Sequence, residues 1–222
     1  AQSEDAAAKE SEEFTEDVNE DIEIGGKVKV KLCDMDLIKF KQDLLEDKEL
    51  LADLVETADL VHPGNDAKLE RLKQQIAEKI ENPINEGNKK VIIFTAFADT
   101  AKYLYENIAT WVYDTYGLAS GIITGSSKVE TNLKGVHNSF ETILTYFSPR
   151  SNHFKTDREI DILFATDCIS EGQNLQDCDY LINYDIHWNP VRLIQRFGRV
   201  DRIGSNNKEI QLILNNDAKK FI

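Results

Sequence analysis

From residue 90 onward, short apolar runs alternate with amphipathic segments, and this texture restricts the fold more than any other feature. "VIIFTAF" (91–97), "ASGIITG" (119–125), "IDILFAT" (160–166), "DYLINYD" (179–185) and "EIQLIL" (209–214) read as strands. Their apolar residues run on without polar alternation, so both faces of each strand are covered, as in a parallel sheet between two helical layers. Ala101, Leu104, Tyr105, Ile108, Trp111 and Val112 recur on one face of an intervening helix. Further helices are predicted near 132–147 and over 191–202. The expected fold class is α/β, a parallel sheet with helices on both faces.

The residues before this region have a different character. Residues 1–60 hold 19 Asp and Glu against 7 Lys and Arg, which leaves a net charge of only -2 for residues 61–222 out of -14 for the chain. "SEDAAAKESEEFTEDVNED" (3–21) has few apolar residues and many like charges, so residues 1–33 are expected to form an acidic, flexible segment. The alternative, an acidic arm competing with nucleic acid for a basic groove, has no residue to support it. Leu37, Phe40, Leu44 and Leu45 then begin a helical periodicity that "HPGND" (62–66) interrupts. Residues 34–88 are therefore expected to be a helical lead-in of two helices. No run of about 18 apolar residues and no secretory leader is found, so a soluble cytoplasmic protein without a membrane partner is expected. An N-terminal Ala1 reads as a piece of a longer protein. Cys33, Cys168 and Cys178 form no CxxC pair and no metal-ligand set with the histidines, so they are expected to be reduced, and no metal site is assigned.

In an open parallel sheet, ligands gather where strand C-termini pass into loops. Thr95, Thr124 with Gly125, and Thr166 occupy three such ends. Each suits a phosphate contact and each also suits an ordinary turn. The stretch "RLIQRFGRVDRIGS" (192–205) sets four arginines within eleven residues. On a helix, Arg192, Gln195, Arg199 and Arg202 form one stripe, and Leu193, Phe197 and Val200 another, which directs the arginines away from the core. They are either a solvated face or a clamp for oxyanions, since guanidinium groups suit bidentate phosphate recognition.

"FATDCISEGQNLQDCDYLINYDIHWNP" followed by "RLIQRFGRVDRIGS" resembles motifs V and VI of superfamily-two helicases, and "VIIFTAF" with "ITGSS" resembles the motif IV region. The likeness extends over residues 90–213. "DIHWNP" and "DRIGS" resemble the Swi/Snf-type branch, particularly bacterial RapA-like translocases. Two positions depart from that branch: Asp201 stands where histidine is usual and Asp167 where lysine or arginine is usual. These departures favour a bacterial or phage-associated relative.

The resemblance implies a C-terminal RecA-like lobe over residues 89–222 that works against a separate first lobe of the same protein. ATP and Mg²⁺ would be bound mainly by that first lobe. Arg199 and Arg202 match the arginines that approach the γ-phosphate. Gly172, Asn174 and Gln195 match positions beside the nucleotide, and Thr95, Thr124, Gly125 and Thr166 match positions that hold the nucleic-acid backbone. Arg192 and Arg196 would orient their helix or bind phosphates. DNA is the implied partner, double-stranded in preference to single-stranded. No GxxxxGK[ST] loop and no acidic Mg²⁺ box occurs, so the chain alone is expected to be inactive as an ATP hydrolase. The stretch 126–158 either carries partner or DNA contacts or is a longer crossover. Three other readings stay open: an interaction domain without activity, an RNA-directed helicase lobe, and a stand-alone phosphate-binding enzyme using Asp167 and Glu171. His187 beside Trp188 reads as a packing pair and not as a catalytic base.

Overall fold

The computed structural model describes residues 22–125, 128–169, 173–186, 189–202, 205 and 207–215. The acidic stretch through Asp21 and the His187–Trp188 pair lie outside the described residues. The chain divides between Asn65 and Asp66 into two compact units. In the first, β1 (Glu23–Ile24) pairs antiparallel with β2 (Val30–Lys31), and a short 3₁₀ turn leads into α1 (Leu37–Asp59). Asp36 caps α1 by accepting from the Lys39 amide at 3.0 Å. No α1 residue is buried.

The second unit is built from α2 (Ala67–Glu81), β3 (Val91–Phe94), α3 (Ala98–Tyr116), β4 (Ala119–Thr124), β5 (Lys128–Thr131), α4 (Phe140–Phe147), β6 (Ile160–Ala165), β7 (Tyr180–Asn183), α5 (Pro190–Val200) and β8 (Gln211–Leu214). Six strands form one sheet in the order β5-β4-β6-β3-β7-β8. The five strands read from the sequence are parallel to their neighbours, and β5 runs antiparallel to β4. Helices cover both faces, and the α/β, RecA-like arrangement is the observed one. Leu69, Leu72 and Ile76 of α2 and Leu104 and Ile108 of α3 pack on Ile93, Ile122 and Phe164. On the other face, Ile143, Leu144 and Phe147 of α4 and Val200 of α5 pack on Ile92, Phe94 and Leu163.

The segment after β4 corrects the sequence reading. A helix was expected from about residue 132, but the chain first turns back as β5 and α4 begins only at Phe140. Side-chain hydrogen bonds hold this hairpin: Thr131 Oγ1 donates to Ser120 O at 2.7 Å, and the Ser120 amide donates to Asn132 Oδ1 at 2.7 Å. Ser139 then caps α4, accepting from the Thr142 amide. Gly121, inside β4, lets α4 approach closely, since a Cβ there would stand 2.9 Å from Ile143 Cγ2.

At the strands' N-terminal ends lies a polar cluster with no local sequence signal. Lys79 of α2 and Asp179 pair at 2.7 Å, with both side chains wholly buried. Lys79 Nζ also donates to Asn88 O, and Asn85 Nδ2 donates to Asp179 Oδ2 at 2.8 Å. Asn88 Nδ2 donates to Asn207 Oδ1, whose own amide donates to Gln176 O and Cys178 O. The segment following α5 is thereby tied to the loop preceding β7.

Candidate functional site

Register places the three threonines in one row. Ile123, Ala165 and Phe94 are cross-strand partners on β4, β6 and β3, so Thr124, Thr166 and Thr95 follow at one level on the C-terminal edge. Their hydroxyls are not equivalent. Thr95 Oγ1 donates to Phe97 O at 2.9 Å and Thr124 Oγ1 to Lys128 O at 3.2 Å, and both residues are buried. The Thr166 amide donates to Ile123 O, but its hydroxyl makes no hydrogen bond among the described residues. Thr166 is therefore the member of the row with a donor left for a ligand. Gly125 follows Thr124, with the Cys168 side chain beside it.

The arginine helix is organised differently from its expected stripe. Asn189 caps α5 through the Val191 amide, and Pro190 sits at the first helical position, where no amide hydrogen is needed. Arg196 and Arg199 are buried together with Val200, whereas Arg192 and Gln195 are exposed. The expectation that the arginine stripe points away from the core is thus wrong for Arg199, and Arg196, which lay outside that stripe, is buried as well. The reason is that polar partners await them inside. Arg196 Nε and Nη2 grip the two oxygens of Asp167 at 2.7 and 3.0 Å, and Nη1 donates to Asn183 Oδ1 at 2.7 Å. The Arg196 guanidinium lies 5.1 Å from the centre of the Phe94 ring. Arg192 reaches the same carboxylate at 3.4 Å. Asp167, read from the sequence as a departure from a related branch or as a candidate catalytic carboxylate, pairs with two of the four arginines. Asn183 was not singled out, and its signal was a polar residue closing the apolar run "YLIN".

Burial raises the affinity of the Asp167 carboxyl for protons, but hydrogen bonds from Arg196 and the charges of Arg196 and Arg192 outweigh it and hold the group below its ordinary value of 3.8. A carboxylate whose folded value is depressed stabilises the fold above its unfolded value and loses that contribution as pH falls through the folded one. Urea unfolding from pH 7 to pH 3 should therefore show Asp167→Asn about 1–3 kcal/mol less stable than wild type at pH 7. The gap should narrow below about pH 4.

Arg199 donates to Ile169 O beneath the loop that follows β6. Arg202, half-buried just past α5, donates through Nη1 to Asn174 Oδ1 at 3.2 Å and through Nε to Gly198 O at 3.4 Å. Among the described residues no carboxylate pairs with Arg202. Asn174 and Arg202, assigned separately from the sequence, are thus brought together. Gly172 lies outside the described residues.

The cysteines are free thiols. Burial pushes the Cys178 thiol up to about 12, which leaves it protonated and unreactive. Among the described residues no group of His, Cys, Asp and Glu is arranged to hold a metal ion, and no helix is long and apolar enough to cross a membrane.

The chain has similar sequences among known proteins. An uncharacterized ATP-dependent helicase of Bacillus subtilis, YqhH, is 33% identical over 128 residues, 58% of this chain and 19% of that protein. The RNA polymerase-associated protein RapA of Pectobacterium carotovorum is 43% identical over 53 residues, 24% of this chain and 5% of that one. The crystal structure of the C-terminal part of the Fun30 ATPase domain superposes with a TM-score of 0.47 at 21% identity, covering 77% of this chain and 48% of that one. The chain spans less than a fifth of the length of these two sequence relatives. The model of the helicase conserved C-terminal domain matches residues 67–204, from the start of α2 to just past Arg202. The chain belongs to this helicase C-terminal domain family.

Proposed function

We propose that this chain is the C-terminal motor lobe of an ATP-dependent DNA helicase or translocase of the Swi/Snf-type, RapA-like branch. In this reading it supplies Arg199 and Arg202 to ATP held with Mg²⁺ mainly by a first lobe of the same protein. The observation that carries the reading is the division of labour among the arginines. Asp167 pairs with both Arg192 and Arg196, whereas among the described residues Arg202 has no carboxylate partner and its hydrogen bonds go to neutral oxygens. Such a donor fits the terminal phosphate of a nucleotide, since an uncompensated planar cation can neutralise charge that develops on the transferring group. Arg196 holds α5 against the sheet, and Arg199 and Arg202 extend from its last turn. Asn174 orients Arg202, and Gln195 and Gly172 flank the nucleotide. The row of Thr95, Thr166 and Thr124 with Gly125 forms a shelf for one nucleic-acid strand, in which the Thr166 hydroxyl makes the direct phosphate contact. Backbone contacts of this kind position a duplex without reading its sequence.

The test uses the full-length protein. Thr166→Val removes the hydroxyl of the threonine row that has no partner among the described residues and keeps the shape of the side chain. It should raise the duplex-DNA concentration needed for half-maximal ATPase stimulation roughly tenfold, as expected for loss of one hydrogen bond to a charged oxygen. Stimulation by RNA and not by duplex DNA would make RNA the substrate. Unchanged stimulation in Thr166→Val would remove the threonine row from the nucleic-acid path.

A further inference from the structure

We propose that Asp177, through the turn over residues 148–154, is a positioning residue that fixes the guanidinium of Arg202. The consequence for catalysis rests on the reading of Arg202 given above; the mechanical coupling does not. Asp177 lies in the loop before β7 and makes no hydrogen bond to Arg202 among the described residues. Its carboxylate accepts from the Arg150 amide at 2.7 Å, from the Ser151 amide at 3.0 Å, and from the Ser151 hydroxyl. Two successive backbone amides and a hydroxyl thus converge on one carboxylate. The turn is held by these three donors.

The same turn meets the partner of Arg202. Asn174 Nδ2 donates to Ser151 O at 3.5 Å, while Asn174 Oδ1 accepts from Arg202 Nη1 at 3.2 Å. The Asn174 amide is therefore held by the turn on one side and presents its oxygen to Arg202 on the other. Ser151, Asn174 and Asp177 line one polar hollow of about 350 Å³. Without the contact to Ser151, that amide could rotate, and Arg202 would lose its oriented acceptor.

The turn is rigid enough for this task. The Asn152 amide donates to Ser148 O at 3.1 Å, the His153 amide to Arg150 O at 3.1 Å and the Phe154 amide to Pro149 O at 2.8 Å, while Asn152 Nδ2 closes on Ser148 O at 2.7 Å. His153 adopts φ 54°, the one left-handed non-glycine among the described residues. The Phe154 ring packs edge-on to Tyr146, centroids 5.1 Å apart. Directly before the turn, α4 is anchored by buried Ile143, Leu144 and Phe147. A continuous set of packed and hydrogen-bonded groups runs from the core to Arg202, and Asp177 is the one charged group that clasps the turn to it. The segment 126–158 thus has a role inside the lobe: its last part braces the arginine that leaves α5.

Asp177→Asn is nearly isosteric but replaces one acceptor oxygen with a donor amide, which cannot accept from the turn. Two measurements are made. In the 222-residue chain, the Nε–Hε NMR signal of Arg202, assigned by its loss in Arg202→Lys, should shift, and its exchange with water should quicken. In the full-length protein, kcat should fall roughly tenfold to a hundredfold, the scale of a small misplacement of a catalytic group, with KM for ATP within about twofold. Added to Arg202→Ala, Asp177→Asn should cost no further factor, because both changes remove one function. Ser151→Ala, which keeps both amides and removes only the hydroxyl, should give smaller changes of the same sign, and it serves if Asp177→Asn fails to fold. An unmoved Arg202 signal overturns the proposal whatever turnover does. Losses that multiply in the double variant also overturn it, because Asp177 would then act through the fold at large. A shifted signal combined with full turnover in Arg202→Ala leaves the coupling standing and removes instead the role of Arg202 in ATP hydrolysis.

Discussion

Replacing Arg202 with alanine in the full-length protein is expected to cut ATP turnover by about 10³- to 10⁵-fold, the range typical for loss of an arginine that neutralises a transferring phosphoryl group. The half-buried side chain is tethered to Asn174 and Gly198 by two hydrogen bonds of 3.2 and 3.4 Å, so its removal should leave the melting temperature nearly unchanged. Lysine should fail as well, because an ammonium on a flexible stem does not reproduce a planar fork. Arg199→Ala should behave differently. Its side chain is buried and donates to Ile169 O, so this substitution should lower stability along with turnover. Thermal denaturation beside steady-state kinetics separates the two arginines. Wild-type turnover in Arg202→Ala would remove Arg202 from the chemistry of ATP hydrolysis.

The second large effect lies at the other end of the sheet and concerns stability alone. Lys79→Met leaves Asp179 charged and wholly buried with, among the described residues, only Asn85 to donate to its side chain. Breaking a buried pair from one side typically costs about 3–5 kcal/mol, because the remaining ion keeps its desolvation penalty and loses its partner. Such a loss is a large share of a domain's total stability and should be plain in urea unfolding. Lys79→Met combined with Asp179→Leu should recover most of it, since apolar groups of similar volume can replace a buried ion pair at little net cost. A double variant no more stable than Lys79→Met would show that the surrounding amides of Asn85 and Asn88 depend on the charges.

The sheet was legible because its five parallel strands are apolar on both faces, a pattern few other arrangements tolerate. β5 was not legible. Lys128–Thr131 lies at the sheet's edge with all four residues half-buried, so it carries no apolar run, and its pairing is held by the side chains of Thr131 and Asn132 on the Ser120 backbone, which a linear pattern cannot connect. Periodicity correctly set Leu193, Phe197 and Val200 on one side of α5. It failed for Arg199, set on the outward stripe but buried, and it gave no sign of the burial of Arg196, whose partners Asp167 and Asn183 lie 29 and 13 residues away in sequence. The Lys79–Asp179 pair spans 100 residues and lies beyond any local pattern. The motif positions were read from their resemblance to a family, and the structure adds which donors are already engaged among the described residues: those of Thr95 and Thr124 are, and the hydroxyl of Thr166 is not.

The close seat of α4 on Gly121 determines which parts of the lobe can vary in length. With Ile143 standing where even one added carbon would collide, the height of α4 above the sheet is set by the strand beneath it and not by the connection that delivers it. The loop between β5 and α4 can therefore lengthen or shorten within residues 133–137, between Asn132 and the Asn138–Ser139 cap, at modest entropic cost, and the 148–154 turn will still arrive at the same place beside Asn174. Shortening or extending residues 148–154 instead would shift the carbonyl that holds Asn174. Insertions carrying new partners should be accommodated before α4 and excluded after it.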